Sequence, residues 1–249
     1  MIRGFILSIQ FLTSIPFPFA VPWNQQTMRW ALGHFSTVGL VIGAILTALY
    51  LLLPGLIPTW LLGLALLSGW LMLTGGLHVD GLMDIADAIG SNAPLEKKWE
   101  IMKDPHVGSF GMIALFLVLG WKLGLLVALI EITHVLPILL LFIPVLARFG
   151  TLLLLYWMPL AKQQGLAWEW KKGLSIHGMI LSLVPLVVLV LISPSIFALL
   201  FLSYGIYLLG YALWIMYHLK GLNGDVLGAS IEGGELWLLL VSYIWFAMV

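Results

Sequence analysis

The sequence predicts an all-α fold: a polytopic integral membrane helical bundle of about seven transmembrane helices, with an N-terminal interfacial or re-entrant helix before them. Hydrophobic residues make up 62% of the 249 residues and charged residues only 9%, where a soluble domain carries about 25% charged. Apolar windows recur over about 37–55, 57–76, 109–130, 136–158, 178–194, 196–217 and 235–249. A helix crosses a bilayer in roughly 17–25 residues, so all but the last are long enough. None shows the period-2 alternation of a barrel strand. No soluble appendage, linker or internal repeat interrupts them, so residues 1–249 read as one membrane-embedded domain.

Along the chain, the apolar stretch before Phe19 is broken by Pro16 and Pro18 and lacks a small-residue cleavage site. It reads as an N-terminal amphipathic or re-entrant helix rather than a cleavable signal. Gly39 and Gly43, and Gly120 and Gly124, have the spacing that lets helices approach closely. Several tryptophans, among them Trp23, Trp30, Trp60, Trp157, Trp168 and Trp170, fall near span ends and read as interfacial anchors. With no cysteine there is no disulfide and no thiolate chemistry. A net charge of zero predicts no nucleic acid or other polyanionic partner, and the membrane lipid is the surrounding medium.

Charge distribution orients the bundle. Of eleven lysines and arginines, all but Lys122 and Arg148 fall on one side of the seven spans. By the positive-inside rule that side is cytoplasmic, with the C-terminus outside. The cytoplasmic segments, about 77–108, 159–177 and 218–234, also hold most of the polar residues. Lys122 can snorkel to the interface. Arg148 sits too deep for that, and calls for an acid or a substrate phosphate as partner.

One stretch carries the most chemistry. Asp80, Asp84 and Asp87 recur at i, i+4 and i+7, which stacks three carboxylates on one helix face. Neighbours about 6 Å apart repel by roughly 2–3 kcal/mol at an effective dielectric of ~20. Such a face makes sense around a divalent cation or an equally positive partner. His78 beside it reads as a ligand, a general base or a hydrogen-bonded structural residue. Downstream, Leu95–Met102 has the period of a short interfacial helix carrying Lys97 and Lys98. The turn after it, with Lys103, Asp104 and His106 leading into a helix start at Gly108, suits phosphate. Asp225, after Asn223-Gly224, is a helix cap or a fourth acid at the same site. No P-loop, HExxH or GxSxG motif is present.

Four segments in order, FLTSIPFP, GGLHVDGLMDIADAIGS, KWEIMKDPHVGSFG and NGDVLGASIE, resemble the cobalamin synthase (adenosylcobinamide-GDP ribazoletransferase) family across essentially the whole chain. The resemblance implies a bacterial inner-membrane enzyme that needs Mg²⁺. In it a ribose hydroxyl of α-ribazole, or of its 5′-phosphate, displaces GMP from adenosylcobinamide-GDP to give adenosylcobalamin or its 5′-phosphate. Asp80, Asp84 and Asp87 would hold one or two Mg²⁺, with Asp225 a further ligand. His78, His106 or one of the acids would remove the hydroxyl proton. Lys97, Lys98, Lys103 and Arg148 would neutralise phosphates, with Asp104 in the substrate turn. A homo-oligomer, or association with other corrinoid-pathway enzymes, would be in keeping with such a role. A CDP-alcohol-type membrane phosphotransferase and a cation-coupled transporter are the alternatives. The first lacks its full acid-and-arginine motif here, and the second its repeat symmetry.

Overall fold

Each apolar window of the sequence falls mainly on helix in the computed structural model, which describes residues 1–248. The helices are α1 (Ile2–Leu12), α2 (Gln25–Gly33), α3 (Phe35–Leu52), α4 (Thr59–Thr74), α5 (Leu77–Gly90), α6 (Leu95–Ile101), α7 (Ser109–Ile132), α8 (Leu136–Trp157), α9 (Leu166–Lys172), α10 (Ile176–Ser182), α11 (Val184–Ile192), α12 (Pro194–His218) and α13 (Gly224–Met248). Five are long and apolar enough to cross a membrane, and up to seven spans arise if two bent pairs are each one crossing. The first bent pair is α4 with α5, at 90°. The second is α9 with α10–α11, at 100°. We read α4 as the crossing part of its pair, with α5 turned off its end.

Helix α8 is the axis of the bundle, buried along nearly its whole length. Its Pro144 has no N–H, so the Leu140 carbonyl one turn earlier is left without its helical donor. Gly43 of α3 packs on that Leu140 carbonyl, and Gly39 packs on the Pro144 carbonyl. The absence of side chains at both positions is what lets the two backbones touch. Replacing Gly43 by Val is therefore expected to destabilise the solubilised protein by about 1–3 kcal/mol through overpacking, read as a lowered melting temperature in a fixed detergent. Gly120→Val serves as the control. Gly120 and Gly124 have open space around them, so their spacing does not mark a helix contact within this chain.

Around α8, the outer helices turn large apolar side chains outward, as lipid-facing surfaces do: Phe116 and Trp121 on α7, Leu191 on α11, Leu202 and Leu213 on α12. The N-terminal α1 is a short apolar helix of 11 residues. It pairs with α2, where the Ser8 hydroxyl donates to the Ala31 carbonyl at 2.6 Å.

Two sequence expectations change. The last span is not a 15-residue segment starting at 235 but a 25-residue helix starting at Gly224. Its first turns look polar in sequence because they contain Glu232 and Glu235, yet both are buried, at 2% and 0% exposure. Lys122 does not snorkel. Its Nζ donates to Glu232 at 2.6 Å and Glu235 at 2.7 Å, and Arg148 pairs with the other oxygen of Glu235. Two cations and two anions thus cancel inside the bundle, which is the pairing that intramembrane charges require.

Candidate active site

Gly75 and Gly76 both take positive φ (63° and 72°), which only glycine adopts freely, and the chain pivots there from α4 into α5. The pivot lays α5 across the starts of α7 and α13. Gly81 is the close contact with α13: a Cβ there would lie 2.8 Å from the Asp225 backbone. This approach brings Asp225 to the face of α5 that carries Asp80 and Asp84. Asp225 accepts from the Asn223 amide at 2.6 Å, while Asn223 caps α13 through the Val226 N–H at 2.9 Å.

No lysine, arginine or histidine forms an ion pair with Asp80, Asp84, Asp87 or Asp225 among the described residues. Burial, reinforced by the Asp225, Asp80 and Asp87 carboxylates, pushes the Asp84 pKa up to about 7. A cluster that cannot ionise fully on its own is a place where positive charge is missing.

Asp87 has a different task from its neighbours. Its two oxygens accept from the Gly108 and Gly111 N–H groups at 2.8 and 2.9 Å, capping α7. Two of the N–H groups that the sequence offered to a phosphate are therefore taken up from inside the protein. Asp87→Ala would orphan both donors and is expected to cost about 1–2 kcal/mol, seen as a drop in melting temperature.

The basic side of the site is built by the loop after α8. Backbone bonds from Ala161 N to Leu222 O and from Leu222 N to Pro159 O, both 2.9 Å, pin that loop to the start of α13. Lys162 is thereby set beside Lys103, which follows α6. Residual desolvation and the Lys103 ammonium together lower the Lys162 pKa. Both lysines line one cavity with Asn223, Gly224 and Asp225. A second, mostly apolar cavity of about 120 Å³ meets Asp225 from the other side and also contains His78 and Asp80.

His78 is 2% exposed and neither ring nitrogen has a partner. Burial, with Arg148 nearby, lowers its pKa to about 3, so the ring is neutral.

The remaining predicted residues have other partners or none in the acid face. His106 is exposed and bonds Asp104 at 2.6 Å; its backbone N–H and ring hold the Asp104 carboxyl below its ordinary pKa. Lys97 is an exposed partner of Glu100, Lys98 is half-buried on the same short helix, and Arg148 is closed off by Glu235.

Comparison with known proteins adds the family. The family model described as cobalamin-5-phosphate synthase matches residues 4–243. The chain belongs to this family. An adenosylcobinamide-GDP ribazoletransferase of Halalkalibacterium halodurans is 33% identical over all of this chain and 98% of its own length. Proteins of that same name from Brevibacillus brevis and Desulfitobacterium hafniense are each 35% identical, over 96% and 97% of this chain and 97% and 96% of theirs. No solved structure matches.

In this member of the cobalamin-5-phosphate synthase family, residues beyond the motif acids also line the site. Lys162 is one of the basic residues that set the topology, and Trp170 has the position of an interfacial anchor. Trp170 is in fact 3% exposed, packed among Phe11, Trp23 and Phe35. Glu232 and Glu235 could have been found by charge balance, since two basic residues inside spans demand two acids.

Among the described residues no three His, Asp or Glu side chains come together closely enough to hold a metal ion between them. The acid face is nevertheless a suitable open site. Its donors are all oxygen, it is partly exposed, and Mg²⁺ ordinarily takes only one or two carboxylates, completing its shell with water and phosphate oxygens.

Proposed function

We propose that this protein transfers the adenosylcobinamide-phosphate group of adenosylcobinamide-GDP to a ribose hydroxyl of α-ribazole or its 5′-phosphate, releasing GMP. The observation that carries this reading is the convergence of Asp80, Asp84 and Asp225 beside the Lys103–Lys162 pair: an uncompensated acid face next to an uncompensated basic one. A pyrophosphate with its counter-cation is the kind of ligand that satisfies both.

Asp84, with Asp80 or Asp225 beside it, would hold Mg²⁺, and Asp87 supports the site by fixing the start of α7 against α5. When bound, the ion supplies charge neutralisation on the pyrophosphate and on the departing GMP. Lys103 and Lys162 bind phosphate oxygens. The acceptor oxygen forms a bond to the phosphorus on the cobinamide side, and the bond from that phosphorus to GMP breaks. The hydroxyl proton passes to a carboxylate of the acid face. His78 is too weak a base for that role, but its free nitrogens can orient the hydroxyl. Catalysis is then mostly positioning and electrostatics, as for other phosphoryl transfers.

The protein acts from the cytoplasmic face of a bacterial inner membrane. In support, the acid face lies at the same end of the bundle as Lys103 and Lys162, on the lysine-rich side. The test is to supply purified protein in phospholipid nanodiscs with adenosylcobinamide-GDP and α-ribazole. GMP release that needs both substrates and yields a cobalamin is expected; no product from folded protein would reject the reading.

A further inference from the structure

The apolar cavity beside the acid face has no assigned occupant. Three aromatic side chains wall it, Phe11, Phe35 and Trp170, together with Leu155 and Ile231. Its polar side chains are few: His78, Asp80, Thr151 and Asp225, with the indole N–H of Trp170. Two of the lining side chains carry buried hydrogen-bonding atoms with no partner: both nitrogens of His78 and Nε1 of Trp170. Buried polar atoms are nearly always satisfied; two such side chains line this one small cavity, and a ligand that turns their nitrogens to its surface would complete them. Leu77 and Leu166, which also line it, are exposed, so the cavity opens to the surface.

Resting on the function proposed above, three chemical pieces need places. The corrin macrocycle is far too large for about 120 Å³. The guanosine diphosphate is polyanionic and belongs with Lys103 and Lys162. The acceptor's base is flat, aromatic and mostly apolar, with one ring nitrogen free to accept a hydrogen bond.

We infer that the benzimidazole base of the acceptor nucleoside occupies this cavity between α1, α3, α8, α9 and α13, with its ribose at His78 and Asp80. Aromatic walls favour a flat ring. The Trp170 N–H donates to the ring nitrogen, and His78 bonds the ribose hydroxyl. Asp225 lines both this cavity and the Lys103–Lys162 cavity, so it stands between the base pocket and the phosphate pocket, where the two reacting groups must meet.

Steady-state kinetics of the full chain in nanodiscs, varying each substrate in turn, test this. Leu155→Trp fills the cavity and should raise KM for α-ribazole at least about tenfold, leaving that for adenosylcobinamide-GDP within about twofold. Trp170→Phe keeps the wall, loses one donor, and should raise the same KM about fivefold. If Leu155→Trp does not fold, Trp170→Phe decides alone. Active variants with an unchanged α-ribazole KM would overturn the inference, and a lipid acyl chain would then be the occupant to seek. Equilibrium dialysis of α-ribazole against wild type and Trp170→Phe separates the two readings. Binding weakened by the variant supports the pocket even where turnover fails and sinks the proposed reaction. Equal binding by both proteins overturns the pocket while leaving the reaction standing.

Discussion

Asp84→Asn is expected to lower turnover by at least about a hundredfold, the scale of losing one preorganised electrostatic group. The metal-free protein should melt at the same temperature or higher. The two halves of this result come from one cause. Asp84 is held among three other carboxylates and burial opposes its charge, so the wild-type side chain opposes folding until a cation arrives. Asparagine removes the repulsion and keeps the shape. Asp87→Asn provides the contrast, because its charge helps cap α7 and its loss should lower stability. Parallel melting curves and initial rates check both. An Asp84→Asn protein with near-normal turnover would remove the acid face from the chemistry.

Lys122→Met should be among the most destabilising substitutions in the chain, by about 3–5 kcal/mol, because it strands a buried carboxylate rather than merely losing a contact. Glu232 bonds only Lys122 in the network, whereas Glu235 keeps Arg148 and accepts from Trp70 at 3.2 Å. The double variant Lys122→Met/Glu232→Gln restores charge balance and should recover most of the loss. Melting temperatures of the two singles and the double, in one detergent, give the coupling directly. A double variant no more stable than Lys122→Met would show that the pairing is not what holds this layer. The network also reaches the site, since His78 lies close enough to Arg148, Glu235 and Lys122 for their charges to act on it.

The two levels of structure were legible to different degrees for physical reasons. Spans announce themselves because lipid tolerates little else, and six of the seven windows fall on helices of the expected place. The acid face was legible because i, i+4, i+7 carboxylates in an apolar chain are costly and conspicuous. The start of α13 was not, because hydropathy counts Glu232 and Glu235 as polar and cannot see the cations that neutralise them. Nor could one-dimensional spacing show that Asp87 turns to the backbone of α7 while Asp84 does not. Asp225 was readable as a cap or as an acid of the site; it stands in the first turn of α13 and against α5, where Gly81 lets it approach. Trp170 reads as an anchor by position and is a cavity wall by packing, a difference that only the fold of α1, α3 and α9 around it creates.

The most direct test of the central claim is the divalent-cation dependence of GMP release by wild-type protein with both substrates present. No turnover is expected in EDTA, with recovery on adding Mg²⁺ and a much higher Mg²⁺ requirement in Asp84→Asn. Undiminished turnover in EDTA, or an unchanged Mg²⁺ requirement in that variant, would contradict the claim.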